Sequence, residues 1–265
     1  MDPSRRFAEL MGEPEPALPL GEAALLVAAH AHRGLDVAAQ LARIDDIANG
    51  CGSGFEGWRQ HLFGRLGFRG DPDSYYDPAN SMLDSVMDRQ RGIPISLAVL
   101  GLEVARRTGV ELVGVGMPGH FLLRHEGSPR CYIDAFAGGE LLDRDGCELL
   151  FANLHTGAVL GDDHLRPVGS LAILDRMLAN LASIYSAVSD TPSLAWVLRL
   201  RVQIPASGPE ARLALVGHRQ SLARVLSALG QYGEAADQLE AVAPELAGRQ
   251  DETFRRAAEL RARLN

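Results

Sequence analysis

The feature that most constrains this chain is a change of hydrophobic period at Gly109. Up to that residue "GIPISLAVLGLEVARRTG" repeats its apolar positions at helical spacing, with Leu97, Leu100, Gly101 and Val104 on one stripe. Pro94 suits the first helical position, where no amide bond is lost, and Gly109 suits the stop. Beyond it, "VELVGVG", "HFLLRH" and "RCYIDAF" are short apolar runs separated by Gly and Pro, the pattern of antiparallel strands. From about Leu171 onward strand-like alternation stops and only helical patterns remain. A chain that reads helix, then hairpin, then helix again is an α+β protein with a small antiparallel sheet, followed by an all-α region.

The rest of the chain fits that frame. Residues 1–18, rich in Pro and Glu, read as a loose arm. "GEAALLVAAHAHRGLDVAAQLARIDDIANG" reads as two helices broken at Gly34, and "GFEGWRQHLFGRLGF" as a third. Ser81 and Asp84 have the spacing of a capping box, which predicts a short helix from about Met82. The domain boundary is expected at Pro167–Gly169, giving a first domain over 1–167 and a helical one over 168–265. In the second, Leu229, Gly230, Tyr232, Ala235 and Leu239 fit the core of a tetratricopeptide-type helix pair, and a weaker pair precedes it.

The candidate chemistry lies in the hairpin. A turn centred on Gly127 puts His120 opposite Asp134, where Cβ atoms are about 4.5–5.5 Å apart. Alternation then places His120 and Asp134 on one face, and Cys131 on the other. An imidazole held by a carboxylate is the second half of a nucleophilic triad. It is equally the form of a satisfied polar pair at a sheet end.

Composition removes several classes. The formal net charge of -8 argues against nucleic acid as the main partner. Three cysteines, Cys51, Cys131 and Cys147, do not make a disulfide framework, and a reducing compartment is the simpler expectation. "MDPSRRFAEL" lacks the apolar core of a signal peptide, and no run is long enough to span a bilayer, so a cytoplasmic protein without membrane contact is expected. His155, Asp162 and Asp163 fit no standard metal spacing, and His30 and His32 do not share a helix face. Neither a phosphate loop nor a dinucleotide fingerprint is present, so no cofactor and no metal are expected.

The stretch "YYDPANSMLDSVMDRQRGIPISLAVLGLEVARRTGVELVGVGMPGHFLLR", with "YIDAF" and "GGELLD" after it, resembles the SirB-type transglutaminase-like family. The resemblance implies a papain-like α+β core in which a cysteine opens a buried helix and a histidine and an aspartate follow on adjacent strands. His120 and Asp134 match the last two. The helix opening at "GIPIS" holds no cysteine, and the nearest candidate is Ser96 in its first turn.

A serine hydroxyl must lose its proton during attack, whereas a thiol can be drawn to thiolate beforehand. The competing reading of Ser96 is a first-turn hydroxyl that bonds free main-chain groups. Asn80 can line the cleft as an oxyanion donor or order the turn before Ser81, and Arg91 can bind a carboxylate or position its turn. Two functions follow. One is a non-catalytic or weakly active transglutaminase-like module that binds a protein or peptide partner. The other is a Ser-His-Asp hydrolase or acyltransferase acting through Ser96.

Overall fold

A computed structural model describes residues 2–264 except Pro129 and Ala247. The fold is mixed helix and sheet, as the change of period predicts. By packing, the chain divides into two compact units: residues up to Arg6 with Glu13–Met177, and Phe7–Gly12 with Leu178–Asn265.

In the first unit, α2 (Leu20–Ala31) and α3 (Val37–Asn49) are separated by Gly34, whose φ of +85° only glycine adopts without strain. Asp36 caps α3 by accepting from the Ala39 amide. Helix α4 (Gly54–Arg59) runs into a π-helical turn over Gln60–Arg65, and α5 spans Leu83–Arg89. The capping box expected at Ser81 does not form. Met82 occupies the cap position, and the buried Ser81 hydroxyl has no hydrogen-bond partner among the described residues. Two short strands, β1 (Arg69–Gly70) and β2 (Arg91–Gly92), pair in parallel just ahead of α6 (Pro94–Thr108). Helix α6 is buried along most of its length and stops at Gly109, φ +71°.

The main sheet follows at once. Strands β3 (Leu112–Val115), β4 (Leu122–His125), β5 (Tyr132–Asp134), β6 (Glu140–Leu142) and β7 (Pro167–Val168) lie in the order β6-β5-β4-β3-β7, all antiparallel. One face packs on α6, where Leu123 and Trp58 close over Gly101. The other carries Leu122 and Tyr132 against Cys147 and Phe151 of α7 (Arg144–Leu154).

The boundary expected at Pro167–Gly169 moves. Pro167 and Val168 are an edge strand of the sheet, and the packing division falls later, between Met177 and Leu178 within α8 (Ser170–Ala187). Edge strands tolerate proline because one side of their ladder is unpaired, so a residue that reads as punctuation ends a sheet here.

The second unit holds the remaining helices: α9 (Thr191–Arg201), α10 (Pro209–Ala228), α11 (Tyr232–Val242) and α12 (Gln250–Ala262). Leu222, Leu226, Ala235, Ala236, Leu239 and Ala257 form its core. Gly230, φ +73°, makes the turn between α10 and α11. The loose arm expected over residues 1–18 is instead a helix, α1 (Pro3–Met11), followed by a 3-10 turn at Glu15–Ala17. Phe7, Leu10 and Met11 recur at i, i+3 and i+4 and are buried. That short apolar stripe outweighs the Pro- and Glu-rich composition around it. Among the described residues no helix is long and apolar enough to cross a membrane.

Candidate functional site

His120 follows a turn that three groups hold. Gly119 adopts φ +74°, and a Cβ there would stand 2.9 Å from His155 Nε2. His155, at the end of α7, donates from Nε2 to the Pro118 carbonyl at 3.1 Å. Arg176 of α8 donates from Nη2 to two carbonyls at once, Met117 at 2.9 Å and His120 at 2.6 Å. Its guanidinium also lies over the Phe121 ring. Arg176 was not legible as part of this region, because locally it is only one residue on an amphipathic helix.

The imidazole reaches Asp134. His120 Nε2 lies 2.9 Å from Asp134 Oδ1, and both side chains are buried. The same oxygen accepts the amide protons of Phe136 at 2.9 Å and Ala137 at 3.1 Å. An oxygen already used as an acceptor twice fixes the third contact in the same sense, so Nε2–H donates. A neutral ring in that tautomer presents Nδ1 as its acceptor, which is what a general base requires.

The register differs from the expected one. Leu123 pairs with Ile133 and Arg124 with Tyr132, so Asp134 stands opposite Leu122 rather than His120. The slip is two residues. A two-residue slip preserves the faces of a pleated strand, so Asp134 keeps its face, and His120, in the turn just ahead of β4, still reaches it. Asp134 also adds its charge to the surroundings of Cys147, on the α7 face.

Aromatic rings extend the site outward. Phe136 stands edge-on to His120 with ring centres 6.0 Å apart, and Tyr75 edge-on to Phe136 at 5.8 Å. Gly70 makes room for Phe136: a Cβ there would come within 2.4 Å of the ring. Its amide donates to the Phe136 carbonyl at 2.8 Å. Since Gly70 also pairs with Gly92, main-chain bonding runs from the start of α6 to the turn that holds Asp134.

Ser96 lies in the first turn of α6, fully buried. Its hydroxyl stands 2.5 Å from the Asn80 carbonyl and 3.1 Å from that of Ile93, and it accepts the Ile93 amide at 3.2 Å. A hydroxyl has one proton to give, and the shortest contact assigns it to Asn80. None of these partners is His120 or Asp134.

The Asn80 side chain is also fully engaged within its loop. Nδ2 donates to Ser74 O at 2.7 Å and to Asp71 Oδ2 at 3.3 Å, while Oδ1 accepts from Arg89. Arg91 donates to the carbonyls of Gln90 at 2.8 Å and Gly67 at 3.3 Å. Both therefore order turns in the structure, and neither side chain meets the His120–Asp134 pair in these bonds.

The family described as the transglutaminase-like superfamily matches residues 32–179. The chain belongs to that superfamily. Among curated proteins it is 44% identical over 133 residues to a UPF0162 protein of Xylella fastidiosa, covering 48% of this chain and 47% of that one. It is 31% identical over 199 residues to a UPF0162 protein of Pseudomonas aeruginosa, covering 72% and 73%. F-box only protein 21 of Homo sapiens is 38% identical over 132 residues, 46% of this chain and 20% of that protein. The matched stretch thus spans about half the length of the Xylella relative. No solved structure matches significantly.

Within this transglutaminase-like chain the three thiols share one property. Burial pushes the Cys147 thiol up to about 12. Burial also raises Cys51, and Cys131 as well, though the Arg59 guanidinium partly offsets it there. A thiol nucleophile needs the opposite shift. His155, Asp162 and Asp163, which fit no standard metal spacing, have partners within the protein: Arg144 holds Asp162 at 2.6 Å, Arg166 holds Asp163 at 2.7 Å, and His155 holds the Pro118 carbonyl.

Proposed function

We propose that this is a SirB-type transglutaminase-like protein that keeps the histidine and aspartate of the fold but lacks a primed nucleophile, and that it acts in the cytoplasm as a protein- or peptide-binding regulatory module. The observation that carries this reading is the Ser96 hydroxyl. It is buried, its proton goes to the Asn80 carbonyl at 2.5 Å, and its lone pair takes the Ile93 amide. A general base must reach that proton at about 2.6–3.2 Å, and here a carbonyl holds it. The raised thiols support the same reading, since none is poised as a thiolate. The match to F-box only protein 21, confined to 20% of that chain, fits a module reused inside larger proteins. The helix pairs of the second unit are read as tetratricopeptide-like, an architecture that forms concave binding surfaces.

A second reading has one observation in its favour. The His120–Asp134 pair is complete, with the imidazole held in the tautomer that a base needs. A rearrangement that freed Ser96 would give a Ser-His-Asp hydrolase or acyltransferase acting on an amide or ester. A fluorophosphonate probe on the full chain separates the two. The binding-module reading expects no labelling. Stoichiometric labelling that disappears in both Ser96→Ala and His120→Ala establishes the hydrolase instead.

A further inference from the structure

The second unit contains a cleft that the site above does not use. Its volume is about 370 Å³, and it lies between one face of α10 and one face of α12, over Leu239 of α11. From α10 come Gln220, Arg224 and Ser227, at the i, i+4 and i+7 positions of a single face. From α12 and the residue before it come Arg249, Thr253 and Arg256, at the same spacing. Three arginines thus line the cleft, with hydroxyl and amide side chains among its other lining residues.

Two kinds of arginine stand out in this unit. Arg199 is held by Glu234 at 2.6 Å, and Arg261 by Asp237 and Glu240 at 2.7 and 2.8 Å. Those are structural ties between helices. Arg249 and Arg256, among the described residues, make no side-chain hydrogen bond or ion pair, and Arg224 meets only the Ser221 hydroxyl at 3.0 Å. Glu252 lines the same cleft and, among the described residues, pairs with neither, so positive charge predominates. The whole chain carries 34 acidic residues against 26 basic ones, yet residues 178–265 carry nine against ten. The cleft is a local reversal within an acidic protein.

We infer that this cleft binds an acidic peptide segment, with carboxylates of the peptide on the guanidinium groups. Guanidinium forks match carboxylates two bonds at a time. The spacing selects an elongated ligand over a single small anion. Arg249 and Arg256 are seven residues apart, about 10 Å along a helix. An extended peptide covers that distance in about three residues, whereas one phosphate cannot span it. A nucleic acid is disfavoured by the charge of the whole chain, since three arginines in one cleft do not make a phosphate-tracking stripe. The inference rests on the binding-module reading and names a ligand class for its second unit; probe labelling tests the state of Ser96, and peptide binding tests this ligand, so the two can fail separately.

The experiment is fluorescence anisotropy on the full chain at low salt. The probe is a labelled glutamate-rich decapeptide, blocked at both ends, beside its glutamine counterpart. The glutamate peptide should bind, weaken as salt rises, and exceed the glutamine peptide by about tenfold or more. Arg249→Gln with Arg256→Gln should weaken it by about tenfold or more, while Arg212→Gln, an exposed arginine outside the cleft, should leave it unchanged. All three positions are exposed, and a thermal melt checks that the variants fold. Absence of binding, equal affinity for the glutamine peptide, or indifference to the double variant overturns the inference. Full displacement by inorganic phosphate makes the cleft a small-anion site, and tighter binding of a single-stranded oligothymidine makes it a nucleic-acid surface; either result also overturns it.

Discussion

Replacing Ser96 with alanine separates a structural hydroxyl from a reactive one. The change removes a donor 2.5 Å from the Asn80 carbonyl and an acceptor 3.2 Å from the Ile93 amide, both buried. The two main-chain groups are not orphaned, because the Ile93 amide also donates to the Asn80 carbonyl at 3.2 Å. The cost is therefore that of one or two net hydrogen bonds, about 1–2 kcal/mol in all, and not the larger penalty of leaving a buried group unpaired. The missing oxygen leaves little space, since Gly92 lies against it. For a domain of this size 1 kcal/mol moves the midpoint by about 2–4 °C, so Ser96→Ala should melt about 2–8 °C below wild type by circular dichroism. Wild type and variant should both stay unlabelled by fluorophosphonate. An unchanged melt together with wild-type labelling that Ser96→Ala abolishes would refute the reasoning, since it would show a hydroxyl held for chemistry rather than for the α6 turn.

Other outcomes follow from single contacts. Gly57→Ala should destabilise the first unit severely, by about 2 kcal/mol or more, because a Cβ there would stand 2.3 Å from the Gly52 main chain; expression and melting temperature report it. Asp134→Ala removes the acceptor of two amides and one imidazole and should cost about 2–4 kcal/mol, read as a shift in denaturant midpoint. Cys147, pushed up to about 12, should resist iodoacetamide near neutral pH in the folded protein and react on unfolding, as mass spectrometry would show. Its folded value lies above the unfolded one, so its contribution is complete below about pH 8.5 and is lost as pH rises toward the folded value. Cys147→Ala should accordingly flatten the decline in melting temperature on that alkaline side. Leu226→Ala, in the buried core of the second unit, should cost about 2–5 kcal/mol, measured by chemical denaturation.

Local rules, legible along the chain, set part of this fold. The stripe on α6, with Pro94 to start it and Gly109 to stop it, sets that helix because periodicity and capping act within a few residues. The switch to alternation sets the strands and the face that Asp134 takes, while His120 reaches it from the turn ahead of β4. The tertiary structure decided what depends on partners far along the chain. It chose the hairpin register, two residues from the one a Gly127-centred turn suggests, through pairing with β3 and β6 on either side. It made Pro167 a strand, because an edge of the sheet was open to receive it. It brought Arg176 to the His120 turn across 56 residues of sequence. Above all it decided the partner of Ser96. A serine in the first turn of a helix is read identically whether it faces an imidazole or a carbonyl, and only the fold of the 77–82 loop brings the Asn80 carbonyl to it, because hydrogen-bond partners are set by distance in space and the sequence records only distance along the chain.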